Sequence, residues 1–256
     1  MENSVAIVTG ASQGIGRSTA NRLARDFSAV VLVARNGDAL GEVAETVEAA
    51  GAKAESIAID LSQLGAPEIV VNTTKERCGR IDALLNIAGA VPQIDLFEMT
   101  DEQWYAGMEL KLHGARRLTI RAWEALKASK GSVVFMSGSA ALDPKPAVAA
   151  VAATNAAILA MAKAFAEQGI KDGVQVNSII PGAVMTGRRR SFLEKWAPAH
   201  NMTVEDATKR FPADVGISRY GKPEEIGELM AFLVSPGAKW MTGTSVRMDG
   251  GEIKGI

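Results

Sequence analysis

Six short runs of apolar, β-branched-rich sequence recur along the chain: VAIVTG (5–10), AVVLVA (29–34), AESIAI (54–59), IDALLNIA (81–88), GSVVFM (131–136) and VQVNSII (174–180). A strand that buries one face alternates apolar and polar residues, so continuous runs predict strands covered on both faces. Between them lie the amphipathic stretches GRSTANRLARDF (16–27), DALGEVAETVEAAG (38–51) and a long segment at 101–128. Asp101 and Glu102 open the last of these, where negative charge suits a helix N-terminus. Strands alternating with helices build right-handed βαβ units. The expected fold class is α/β, a doubly wound parallel sheet with helices on both faces. No internal repeat or low-complexity linker divides the sequence, so residues 1–256 are expected to form a single domain.

Composition narrows the function. A net charge of −1 favours neither nucleic acid nor an anionic membrane as partner. The single cysteine, Cys78, excludes an internal disulfide framework and fits a reducing compartment. The first residues, MENSVAIVTGAS, lack the pattern of a secretory signal, and no apolar run is read as long enough to span a bilayer. The expectation is a cytoplasmic enzyme or binding protein, with no nucleic-acid, membrane or metal partner.

The first strand runs into TGASQGIG, Thr9 to Gly16, and directly into a helix. Gly10, Gly14 and Gly16 allow a tight turn and close approach of a pyrophosphate to the helix N-terminus, the arrangement of a Rossmann-type dinucleotide site. Strand before and helix after are the context this motif requires. The GxxxGxG spacing resembles the glycine-rich segment of the classical short-chain dehydrogenase/reductase superfamily, and further matches run along almost the whole chain. IDL (59–61) resembles the segment whose aspartate, here Asp60, contacts adenine. NIAG (86–89) resembles NNAG, and PGAVMT (181–186) resembles the segment that holds the nicotinamide carboxamide. RYGKPEEIGELMAFLVS (219–235) and TGTSVRMDGG (242–251) are similar to the C-terminal signature. The resemblance implies a cofactor set of Gly10, Ser12, Gln13, Gly14, Ile15, Gly16, Asp60, Leu61, Asn86, Ala88, Gly89, Pro181, Gly182, Val184 and Thr186. The second strand ends in LVARN. There Arg35, with Arg17 near the glycine loop, stands where an acid would bond the ribose 2′-OH of NAD, so NADP(H) is favoured over NAD(H).

Hydride transfer to a carbonyl also requires a proton. In the resembled superfamily a tyrosine delivers it, a lysine one helical turn later lowers its pKa, a serine polarises the carbonyl, and an asparagine supports a relay water. Alignment on GSVVFMS and NAAILAMAKAFA places Val151 at the tyrosine position and Asn155 at the lysine position. Neither carries a proton near neutrality. The serine position falls on Gly138, flanked by Ser137 and Ser139, and Lys111 stands at the asparagine position. The catalytic tetrad is degenerate, and the candidates to replace it are Lys111 and Ser139. Lys111 either returns an ammonium group to the same space or snorkels to solvent. Ser139 either approaches the substrate carbonyl or uses its hydroxyl locally at a strand end. Tyr105, Tyr220, His113 and His200 are weaker replacements.

By resemblance, residues 187–218 cover the substrate. Arg188, Arg189 and Arg190 read as an anion clamp or as a solvated helix start or subunit contact; Phe192, Leu193, Trp196 and Phe211 read as a pocket lining or as core. Two functions follow. One is an NADP(H)-dependent oxidoreductase acting on an unidentified small carbonyl or alcohol with altered acid–base residues. The other is a catalytically inert dinucleotide-binding homologue, a sensor or a silent subunit. Non-redox chemistry in the same fold is a third. The C-terminal signature resembles that of members forming homodimers or homotetramers.

Overall fold

A computed structural model of the protein describes residues 3–255; Met1, Glu2 and Ile256, the ends of the expected 1–256 domain, lie outside the described residues. Seven strands form one parallel sheet: β1 (Val5–Thr9), β2 (Ala29–Ala34), β3 (Lys53–Ala58), β4 (Ala83–Asn86), β5 (Ser132–Met136), β6 (Gln175–Pro181) and β7 (Ser245–Met248). Their order is β3-β2-β1-β4-β5-β6-β7. The chain reverses direction of travel across the sheet between β1 and β4, and a doubly wound sheet opens a crevice at such a switch point, beyond the carboxyl ends of its strands.

Helices cover both faces. On one, α1 (Gly14–Leu23), α2 (Gly37–Ala49) and α9 (Pro223–Leu233) bury Leu23, Leu40, Val43, Met230 and Leu233 against Val30, Leu32 and Leu85. On the other, α3 (Ala66–Cys78), α5 (Ala115–Ser129) and α6 (Ala149–Asp172) bury Val70, Leu118, Leu126 and Ile158 against Ile7, Leu84 and Phe135. β1, β4 and β6 are buried along their whole length, as continuous apolar runs predict.

Three expectations are corrected, and one strand is added. β3 is an edge strand whose residues alternate between buried and exposed, so it is not covered on both faces. β7, at the opposite edge, went unread as a strand, because SVRM is largely exposed and carries no apolar run. The 101–128 segment is not one regular helix: α4 (Asp101–Met108), held by a Thr100–Gln103 capping box, passes through a π-helical turn at Glu109–Gly114 before α5 begins. Finally, Pro146–Asp172 is a 27-residue helical stretch with an 18-residue window of mean hydropathy 1.6, long and apolar enough by composition to cross a bilayer. Its inner face, with Ala150, Asn155, Ile158, Ala162 and Ala166, is buried in the structure. Its outer face joins α5 in an apolar groove of about 530 Å³ lined by Ile120, Trp123, Met161 and Phe165.

Between β6 and α9, α7 (Gly187–Ala199) and α8 (Val204–Asp214) form a small subassembly of their own, in the segment expected to cover the substrate. Leu193, Ala197 and Ala207 are its buried centre, with Phe192, Trp196, Phe211 and Tyr220 packed around them. These aromatics are therefore mainly the core of the α7–α8 unit.

Candidate active site

A cleft of about 470 Å³ opens at the carboxyl ends of the central strands. Of the residues singled out in the sequence, Gly10, Ser12, Gln13, Gly14, Ile15, Gly16, Arg35, Leu61, Ala88, Gly89, Lys111 and Thr186 line it. The glycines are dictated by geometry. Gly10 has φ +68°, and a Cβ on Gly16 would stand 2.0 Å from the Gly10 carbonyl oxygen, so the turn closes only without side chains. Thr9 Oγ1 locks the floor, accepting from the Ile87 and Ala88 amides at 2.9 and 3.0 Å and donating to the Leu85 carbonyl at 3.2 Å. A bare glycine turn opening onto the N-terminus of α1 fits a dinucleotide pyrophosphate.

The other residues of the expected set stand outside the cleft lining. Asp60 accepts from the Ser62 amide and hydroxyl at 2.9 and 2.8 Å, and these bonds hold its carboxyl below the usual carboxylate range. Asn86 is buried and donates to Thr119 Oγ1 at 3.1 Å. Pro181 ends β6, Val184 bridges to Gly221, and Gly182 leaves room for Glu252 and Asp249. At the rim, the Arg35 side chain is 68% exposed and 3.9 Å from Asp60. Arg17 instead pairs with Glu42.

At the inner end of the cleft, the π-helical turn presents Lys111, which is buried. Its Nζ donates to Asn155 Oδ1 on α6 and, at 3.4 Å, to the Ser137 carbonyl. Burial, with the charge of Arg188 adding to it, brings the amine down to about 7. Two glycines make room for this contact. A Cβ on Gly89 would meet the Lys111 stem at 2.8 Å, and one on Gly138 would meet Asn155 Nδ2 at 2.9 Å.

Ser139 is turned elsewhere, donating to Glu252 Oε1 at 3.2 Å, while Glu252 Oε2 accepts from the Ala183 amide at 2.9 Å. Val151 is half-buried at the start of α6. Tyr105 is 68% exposed. His200 stacks on Trp196 with ring centroids 3.9 Å apart. His113 lies outside the cleft lining. The three arginines diverge rather than clamp. Arg188 donates to the Gly89 and Val91 carbonyls at 3.3 and 2.7 Å, Arg189 lies over Phe192 and Phe211, and Arg190 faces a neighbouring cavity beside Gly14 and Arg17.

A family model described as enoyl-(acyl carrier protein) reductase matches residues 10–252. The chain is 30% identical over 252 residues to a 3-oxoacyl-[acyl-carrier-protein] reductase of Synechocystis sp., covering 97% of this chain and 96% of that protein. The chain belongs to the short-chain dehydrogenase/reductase superfamily.

Solved structures of that superfamily superpose closely. L-Sorbose reductase from Gluconobacter frateurii, complexed with NADPH and L-sorbose, has a TM-score of 0.93 at 28% identity, covering 99% of this chain and 97% of that one. NAD+-bound xylitol dehydrogenase has a TM-score of 0.91 at 25% identity, covering 97% of this chain and 98% of that one. As a short-chain dehydrogenase/reductase, this chain has the nicotinamide-dinucleotide-binding scaffold. Sequence reasoning missed Glu252. It lies 113 residues from Ser139, just past the C-terminal signature, and only the fold brings the two together.

Proposed function

We propose that this protein is an NADPH-dependent reductase of a small carbonyl compound in which Lys111 supplies the proton. One observation carries the reading: a buried amine stands in the wall of the dinucleotide cleft, bonded to the residue that aligns with the superfamily's lysine. The bound dinucleotide supplies the hydride. The glycine turn at Gly10–Gly16 and Thr186 hold its place, and Arg35, exposed at the end of β2 and 3.9 Å from Asp60, offers its guanidinium to a 2′-phosphate. An amine at about 7 is half ammonium at neutral pH. In that form it gives a proton to the oxygen that gains negative charge as a carbonyl is reduced, becoming the neutral amine. Asn155 and the Ser137 carbonyl accept from Lys111 and fix its direction.

The test is Lys111→Ala in a carbonyl-reduction screen. Loss of a positioned general acid lowers turnover by about 10²–10⁴ while NADPH affinity, read by fluorescence titration, is retained. Unchanged turnover sinks the role of Lys111. The wild-type rate of reduction falls above pH 7 as the ammonium is lost.

A second reading, a dinucleotide-binding homologue without turnover, is favoured by Val151, which puts an isopropyl group at the tyrosine position. It predicts NADPH binding with no reduction of any carbonyl, and one rapidly reduced substrate refutes it. In either case we read residues 1–256 as one cytoplasmic domain, a homodimer or homotetramer paired through the α5–α6 groove.

A further inference from the structure

We propose that Arg189 and Tyr220 form a recognition site for a carboxylate group on the substrate, beneath the α7–α8 unit. The inference rests on reading the cleft as that of a carbonyl reductase and names the class of molecule it takes. Arg189 is half-buried, and its guanidinium lies 5.2 and 5.0 Å from the ring centroids of Phe192 and Phe211. Its backbone amide caps onto Thr186, yet among the described residues its guanidinium makes no hydrogen bond or ion pair. Five N–H donors are therefore unspent on a cation already partly withdrawn from water. Burial holds Arg189 below the ordinary arginine range, opposed by the charge of Glu252.

Tyr220 stands beside it, stacked on Phe211 at 6.1 Å, with a buried hydroxyl that has no hydrogen-bond partner. Arg189 and Tyr220 both pack against the ring of Phe211, which brings the two spare groups into one neighbourhood. A buried donor left unpaired costs about 1–3 kcal/mol, so the Tyr220 hydroxyl, with an unpaired cation packed on the same Phe211 ring, is a site awaiting an acceptor. The chemistry selects an oxyanion. A planar guanidinium takes a carboxylate through two parallel N–H bonds, and the phenol O–H adds a third. Among the described residues no hydrogen bond or ion pair joins Arg189 to the nearby Glu252, whose oxygens accept from Ser139 and the Ala183 amide. Thr186, which caps the Arg189 amide, connects the site to the cleft, whose wall it lines.

The experiment is calorimetric titration of the NADPH-loaded protein with hexanoate and, as the neutral isostere, hexanamide. Hexanoate is expected to bind about tenfold tighter. Arg189→Gln abolishes that preference, Arg189→Lys keeps part of it, and Tyr220→Phe weakens hexanoate several-fold. The Tyr220 variant removes one oxygen and covers the case in which Arg189→Gln does not fold. Equal affinity for the two probes, no binding of hexanoate, or a preference unaltered by Arg189→Gln overturns the proposal. Neither probe is reduced, so a protein that turns over no carbonyl still answers this question, and one that reduces only neutral ketones fails it while keeping the reductase reading.

Discussion

Replacing Lys111 with methionine tests the buried amine through stability alone, without any substrate. The native amine titrates at about 7 against 10.5 in the unfolded chain. Below pH 7 both states carry the proton, and the native state bears the full cost of a desolvated ammonium. That cost is about 5 kcal/mol at roughly 1.4 kcal/mol per pH unit of separation. Between pH 7 and 10.5 the unfolded chain binds a proton that the native state has shed, so wild-type stability rises with pH, and above 10.5 the penalty is gone. Lys111→Met has no such group. From pH 7 to pH 9 the wild type therefore gains about 2 kcal/mol relative to the variant. Losing the bonds to Asn155 and Ser137 adds an offset, but one independent of pH. Urea unfolding of both proteins, followed by circular dichroism at pH 6, 7, 8 and 9, reads the difference directly. If the two stability curves run parallel from pH 7 to 9, the amine is not held near neutrality, and the proposed proton donor loses its physical basis.

Arg35→Glu is expected to weaken NADPH about tenfold or more while leaving NADH little changed, measured by fluorescence titration. Asn155→Lys alone puts two amines into one buried site and should cost about 3 kcal/mol of unfolding free energy. Adding Lys111→Asn should recover most of it, and additivity of the two changes would show that they do not share a site. Ile120→Glu places a charge on the apolar groove between α5 and α6. Size-exclusion chromatography should then show a smaller species with an unchanged far-ultraviolet spectrum.

The central strands were legible because β1, β2, β4, β5 and β6 are covered on both faces, and burial there leaves an uninterrupted apolar record. The edges escaped for the same reason. β3 carries Lys53 and Ser56 toward solvent, and β7 is so exposed that its pattern matches a loop. The glycine turn was legible because a Cβ on Gly16 would collide with backbone, which leaves one residue type possible. The chemical end was legible only as vacancies. That Lys111 meets Asn155 depends on two helices 44 residues apart in sequence, and nothing local records it. The divergence of Arg188, Arg189 and Arg190 was equally hidden, since three consecutive helical residues must point in different directions, whatever their shared charge suggests.

The π-helical turn at Glu109–Gly114 makes the position of Lys111 a matter of counting. A π-turn accommodates an extra residue within an otherwise α-helical path, and each α-helical residue turns the chain by about 100°. Deleting one residue there, with every chemical group retained, would swing the lysine away from the cleft wall. An insertion or deletion in this turn is thus a switch between two chains of nearly identical composition, one with an amine in the cleft wall and one without. Among relatives, the length of this turn would say more about the chemistry than the presence of a lysine within it.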